Sequence, residues 1–211
     1  MPTDSTGYSW YARQPLAVRG LIAFLITAAF FAAGVLLDGP VYHAWENQRA
    51  QSQDWGRLLR IQGFLGTWAF AALALWLHEE RTAIATRRAR LLFASPALAG
   101  ALAEVMKLIL RRERPEVADG AYSFRSWSDR PFSTAGLGLP SSHTMVAFGA
   151  ATMLARFYPR ARWVWYALAW GCAAQRVLTH AHFLSDVMLG AVLGWAMGWG
   201  LWLRFPAPRK A

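Results

Sequence analysis

The sequence predicts an all-α fold: a bundle of six transmembrane helices forming one integral membrane domain over residues 1–211, with its polar residues gathered at one membrane face. Three observations predict it. Apolar residues make up 55% of the chain and charged residues only 16%, against about 25% charged in an ordinary soluble domain. The apolar residues fall into six segments close to the ~20 residues a helix needs to cross a ~30 Å hydrocarbon core. The charged residues that break this pattern collect at the ends of three of those segments.

The first span is Leu16 to Leu37. No small-residue cleavage site follows a short apolar core there, so it reads as a retained span and not as a removable signal. Leu58 to Leu77 is the second, closed by His78-Glu79-Glu80-Arg81. Leu91 to Leu110 is apolar except for Glu104 and Lys107 near its end. Ser141 to Tyr158 is shorter and stops before Pro159, and Arg162 to Leu178 follows it. Ser185 to Leu203 carries Asp186 at its start and is otherwise apolar. At 211 residues, with no repeat and no low-complexity segment, this is one domain.

The formal net charge is +10. The arginines sit in short runs between apolar stretches, which fits basic loops flanking membrane spans better than the basic face of a nucleic-acid-binding protein. Six spans put both termini on one side, with Arg13, Arg19, Arg81, Arg87, Arg88, Arg90, Arg156, Arg160, Arg162, Arg204, Arg209 and Lys210. Setting aside Lys107, Arg114 and Arg176, seven basic residues remain for the other side. The excess places the termini in the cytoplasm and the charged span ends outside, as in a bacterial inner membrane. Trp76, Trp163 and Trp202 fall near the inner boundary, as an aromatic belt would. The single cysteine, Cys172, lies in an apolar segment and reads as packing, with no partner for an intrachain disulfide.

Three pieces of sequence carry the chemistry. Lys107 lies about one turn before its span ends, and Arg114-Pro115 marks the expected break, because the residue before proline disfavours helix. Were the helix continuous, Lys107 and Arg114 would share a face about 10 Å apart and converge on one anion. Pro140-Ser141-Ser142-His143-Thr144 opens a span after a glycine-bearing loop. Ser141 is a good N-cap there, and the N–H groups beyond it would attract an anion beside His143. His182 and Asp186, four residues apart, share a helical face. The carboxylate can accept the Nδ1–H of the imidazole and leave Nε2 free to attack. Arg176 ends the preceding span within reach of the same place, and His180 is left outside the set.

Each piece alone has an ordinary explanation: a snorkelling lysine, a capped helix, a buried structural His–Asp pair. Together they deliver three cations, two imidazoles and a carboxylate to one membrane side, where charges are costly unless functional. No H-E-x-x-H and no carboxylate cluster on the outer loops offers a divalent metal a site, so no metal or other cofactor is expected.

These residues resemble the three signature motifs of the type 2 phosphatidic acid phosphatase superfamily, in its integral membrane branch. The first, K-x-x-x-x-x-x-R-P, is matched by Lys107 through Arg114-Pro115. The second, P-S-G-H, is matched by Pro140, Ser141 and His143, with Ser142 in the glycine place. The third, S-R-x-x-x-x-x-H-x-x-x-D, is matched by Arg176, His182 and Asp186, with Gln175 in the serine place. The resemblance implies a metal-independent phosphatase acting through a phosphohistidine. His182 would be the nucleophile, Asp186 its orienting carboxylate and His143 the acid for the leaving oxygen. Lys107, Arg114 and Arg176 would hold the phosphate, with Ser141 and the N–H groups of Ser142 and His143 assisting. The two departures bear on substrate preference more than on activity.

The implied substrate is a membrane lipid phosphate: an isoprenoid pyrophosphate, phosphatidic acid or a phosphatidylglycerophosphate-like lipid. Two rivals stand beside hydrolysis: transfer of the phosphoryl group to a lipid hydroxyl, and non-catalytic lipid-phosphate binding. Against the second, anion binding needs no nucleophile with an orienting carboxylate. The loop from Glu116 to Leu139, with Tyr122, Phe124, Arg125, Trp127 and Arg130, is expected either to cap the pocket and select the headgroup or to dip into the interface.

Overall fold

A computed structural model describes residues 14–45, 48–79 and 82–206. Among them are seven α-helices: α1 (Leu16–Ala44), α2 (Asp54–Ile61), α3 (Leu65–His78), α4 (Ala83–Leu110), α5 (Ser142–Phe157), α6 (Arg162–Leu178) and α7 (Leu184–Arg204). Each expected span is matched by a helix or, in one case, by a pair. Three helices, α1, α4 and α7, are long and apolar enough to cross a membrane. The expected second span is broken: α2 and α3 meet at a 68° bend and count as a fourth crossing only if taken together. The break has a local cause. Asp54, Arg57 and Arg60 make α2 amphipathic, with Trp55, Leu58 and Ile61 between them, whereas α3 is apolar throughout.

The helix at the centre is α5, which packs against α4, α6 and α7. Twelve of its 16 residues are buried, so its length is set by protein neighbours and not by lipid. Trp68 and Ala72 of α3, Leu91 and Leu92 of α4, and Val146, Ala150, Met153 and Phe157 of α5 form the largest apolar cluster. The outermost helix, α1, leaves Leu21, Phe24, Leu25, Ile26 and Leu36 exposed, a surface suited to hydrocarbon.

Two helices outrun their expected ends. α1 continues past Leu37 and through Pro40 because Asp38 is held by α7: Ser185 N–H donates to Asp38 Oδ1 at 2.8 Å. α4 begins at Ala83, where the Thr82 hydroxyl caps the Ala85 N–H at 3.2 Å. Its added turns carry Arg87 and Arg88, which lie over Trp202 and Phe157 at 4.4 and 5.9 Å. Arg156 lies 3.6 Å over Trp199. The basic residues thus cluster with aromatics at one end of the bundle. Arg13, Arg81, Arg209 and Lys210, which also entered the charge balance, lie outside the described residues.

α5 and α7 touch backbone to backbone along Gly190, Gly194 and Gly198. A Cβ at Gly194 would lie 2.4 Å from the Met145 carbonyl oxygen. Small residues at such spacing allow close helix approach in membranes. Gly194→Ala is therefore expected to cost about 1–3 kcal/mol through overpacking. Gly200→Ala, on the same helix with nothing within 4 Å, should cost nothing. Thermal unfolding of both variants in detergent checks this, and equal midpoints would refute the close approach.

Candidate active site

α4 does not reach Arg114. It ends at Leu110, with Arg111 in the left-handed region at φ 56°. The chain then runs extended, pairing through isolated bridges with Phe124 and Leu137. Lys107 and Arg114 therefore do not share a helical face, as a continuous helix would require. They still belong to one region, because each lies within the electrostatic reach of the other.

Lys107 is buried and donates from Nζ to Glu104 Oε1 and to Ser142 Oγ, both at 2.8 Å. The second bond joins the end of α4 to the start of α5. Ser141 caps α5 as expected, accepting from the Thr144 N–H at 3.5 Å and the Thr144 hydroxyl at 3.1 Å. The N–H groups of Ser142 and His143, in the first turn, have no intrahelical acceptor. Ser141 N–H donates to the backbone oxygen of Asp186 at 3.1 Å, which joins α5 to α7.

Asp186 is fully buried. Its Oδ2 accepts the Phe183 N–H at 2.9 Å, and its Oδ1 pairs with the Arg112 guanidinium. His182, 2% exposed, places Nδ1 3.5 Å from Asp186 Oδ2, too poorly aligned for a formed hydrogen bond. Burial pushes the His182 imidazole down to about 4, against the opposing pull of Asp186. The backbone N–H groups of Ala181 and His182 both donate to the Arg176 carbonyl, at 3.1 and 3.2 Å, which folds the α6–α7 turn back on itself.

The charges of Lys107, Arg114 and Arg176 act on one another or on the two histidines. The Nε atoms of Arg114 and Arg176 are buried with no hydrogen-bond partner among the described residues. Such orphans are uncommon in folded proteins, and Arg112 Nε is another. Gln175, in the serine place of the third motif, is buried with both amide atoms unpaired. Ser142 Oγ accepts from Lys107 Nζ, which leaves its O–H to donate elsewhere.

Several residues beyond the motifs shape the site. Arg112 donates to Ser185 Oγ at 2.7 Å as well as to Asp186. Asp38 accepts from Ser185 and, at 2.7 Å, from the Tyr122 hydroxyl. Tyr122 is raised to about 12 by burial and by Asp38, so it remains a donor. Arg111 and Arg125 point inward and gather the loop carbonyls of Ser126, Asp129, Ser133 and Ala135. Tyr122 and Arg125 thus hold the loop in place, while Phe124, Trp127 and Phe132 are exposed on its surface. His180 stacks on Tyr42 at 4.2 Å and lies apart from the His182–Asp186 pair.

A sequence model of the PAP2 superfamily matches residues 88–210. A lipid A 1-phosphatase of Rhizobium etli is 36% identical over 112 residues, covering 51% of this chain and 45% of that protein. A lipid A 1-phosphatase of Porphyromonas gingivalis is 37% identical over 90 residues, covering 40% of this chain and 20% of that protein. The chain thus spans less than half the length of these relatives. The crystal structure of a transmembrane PAP2-type phosphatidylglycerolphosphate phosphatase from Bacillus subtilis superposes with a TM-score of 0.59 at 16% identity, covering 86% of this chain and 92% of that one. At that identity the likeness is one of fold.

Two expectations follow. Arg112→Ala leaves the Asp186 carboxylate buried and unpaired, and should cost about 3–5 kcal/mol. Arg112→Met with Asp186→Asn should recover part of that loss, and denaturant unfolding in detergent measures both. His182 should stay neutral as pH falls until about 4, a shift that nitrogen-15 NMR titration of the imidazole would read. A midpoint near 6.5 would contradict the burial argument.

Proposed function

The chain belongs to the PAP2 superfamily, and from that membership we propose that it is a membrane lipid phosphatase, hydrolysing a phosphomonoester or pyrophosphate through a phosphohistidine. Candidate substrates are isoprenoid pyrophosphate, phosphatidic acid and phosphatidylglycerophosphate-like lipids. The observation that carries this reading is the meeting of His143 and His182 with Lys107, Arg114 and Arg176 around a buried Asp186. An anion site alone needs neither imidazole.

In this account the three cations and the first N–H groups of α5 take the phosphate oxygens, and the orphaned guanidinium nitrogens gain acceptors. Neutral His182 attacks phosphorus with Nε2. The His182–Asp186 contact, 3.5 Å at rest, tightens as the imidazole gains positive charge. His143 gives a proton to the leaving lipid oxygen. Water then breaks the N–P bond, with His143 as base, and releases orthophosphate. Fixed cations neutralise the charge a metal would otherwise neutralise, so turnover needs no divalent metal. Transfer to a lipid hydroxyl in place of water is the second reading, and phosphate release against a lipid acceptor separates the two.

The chain crosses the bilayer six times in this reading, as one domain, with the α2–α3 pair as one crossing and the shorter α5 and α6 each as another. Arg87, Arg88 and Arg156 at one end of the bundle, opposite the pocket, support cytoplasmic termini and an outward-facing site.

The test is phosphate release from a panel of lipid phosphates in detergent with excess chelator, where undiminished turnover is expected. His182→Ala should abolish turnover, and His143→Ala should slow it ~10²–10⁴-fold. An aryl phosphate, which leaves without protonation, should partly rescue the His143 variant alone. Equal rescue of both would overturn the assigned roles.

A further inference from the structure

Beyond the three motifs, a second cationic feature borders the pocket on the side of His143. Helix α2 lies on α6, with Leu59 so close to Gly171 that a Cβ there would be 2.6 Å from its Cδ2. The chain then bends, and Gly63 sits hard against His143: a Cβ at Gly63 would be 2.5 Å from His143 Cβ. Together these contacts form an open cleft of about 250 Å³ at the surface, lined by exposed Arg57, Arg60, Ile61 and Phe64 and by half-buried His143. The Arg60 guanidinium has neither a carboxylate nor a hydrogen-bond partner among the described residues. Arg57 has only a solvent-exposed contact with Asp54 at 3.7 Å. The charge of Arg60 reaches both His143 and Arg176.

We propose that Arg60, with Arg57, forms a second anion subsite on the leaving-group side of His143, and that the preferred substrate is a lipid whose leaving group itself carries a phosphoryl group. The proposal rests on the phosphatase reading. If His143 protonates the departing oxygen, whatever that oxygen is attached to occupies the space beyond His143, which is this cleft. Two arginines beside Ile61 and Phe64 match a phosphoryl group followed by hydrocarbon. A lipid diphosphate places a phosphoryl group there directly, and a glycerol-bridged bisphosphate places one a few bonds further on. Phosphatidic acid places none.

For a diphosphate the step balances as follows. His182 Nε2 bonds to the terminal phosphorus, and the bridging P–O bond breaks with its electron pair on the departing lipid monophosphate. His143 supplies that oxygen with a proton. Water then cleaves the N–P bond, giving orthophosphate and returning a proton to His143. Arg60 and Arg57 offset the charge that the departing phosphate develops.

The experiment uses the full chain in neutral detergent with two matched pairs: an isoprenyl diphosphate against its monophosphate, and phosphatidylglycerophosphate against phosphatidic acid. Arg60→Ala should lower kcat/KM ~10–100-fold on the substrate carrying the second phosphoryl group, the size of one charged hydrogen bond. On its partner the loss should be about threefold or less, and Arg60→Lys should restore part of it. A selective loss in only one pair still supports the subsite and sets its spacing. Equal losses within both pairs, or none, overturn it. A loss seen only in anionic vesicles and absent in neutral detergent assigns Arg60 to the bilayer surface, which also overturns it. Calorimetry with inorganic pyrophosphate and orthophosphate separates this claim from the phosphatase reading. An Arg60-dependent preference for pyrophosphate in a protein that hydrolyses none of the lipids would leave the subsite standing and sink the activity. Wild type binding both anions alike would sink the subsite.

Discussion

A buried carboxylate organises this molecule. Asp186 has no solvent exposure, and an ion so placed costs several kcal/mol unless partners compensate it. Those partners come from every part of the site. Arg112 arrives from the end of α4, the Phe183 N–H and His182 from the turn before α7, and the Asp186 carbonyl takes the Ser141 N–H from the start of α5. The carboxylate thus ties the end of α4 to the turn before α7, and the main-chain carbonyl of the same residue adds the start of α5. Asp38 extends the network to α1 through Ser185 and to the long loop through Tyr122.

The arginines near the pocket are used in opposite ways. Arg111 and Arg125 are buried and bonded to loop carbonyls, so their charge is spent on shape. Arg114, whose Nη1 lies 4.0 Å from Glu116, and Arg176 each retain a buried Nε without a partner among the described residues, while Arg60 stands solvent-exposed at the rim. In a low-dielectric site an unmatched guanidinium is expensive, and the cost falls when an anion arrives. Glycine at every fourth position of α7 lets the backbones of α5 and α7 approach closely beside the site. The bend between α2 and α3 lets a short amphipathic helix approach His143, where a straight second span would have carried Arg57 and Arg60 elsewhere.

Much of this was legible in the sequence, and the reasons for the rest are physical. Spans were visible because apolar length is a direct consequence of bilayer thickness. The Ser141 cap and the His182–Asp186 neighbourhood follow from local spacing, which helices preserve, whereas a lysine near a span end reads as snorkelling and Lys107 is instead buried. The end of α4 came early because Arg111 adopts a left-handed conformation that its residue type does not announce. Arg112 lies between Lys107 and Arg114 with no local signal of its role, since its contacts are with Ser185 and Asp186, more than seventy residues away. Asp38 stands one residue past Leu37, the expected end of the first span. Its partners Tyr122 and Ser185 are 84 and 147 residues distant, beyond any periodic pattern, although a carboxylate at the end of an apolar span was itself a signal. The broken second span was written in Arg57 and Arg60, whose charges sit badly in hydrocarbon.

On the proposed mechanism His182, oriented by Asp186, carries the phosphoryl group between lipid and water. The direct measurement is rapid mixing of the protein with a radiolabelled lipid phosphate, followed by an alkaline quench, in which a phosphoramidate survives, and peptide mapping. Label on His182 within a single turnover, absent from His182→Ala and decaying as orthophosphate appears, is expected. Label on another residue, or complete turnover with no labelled peptide at any time, would contradict the mechanism.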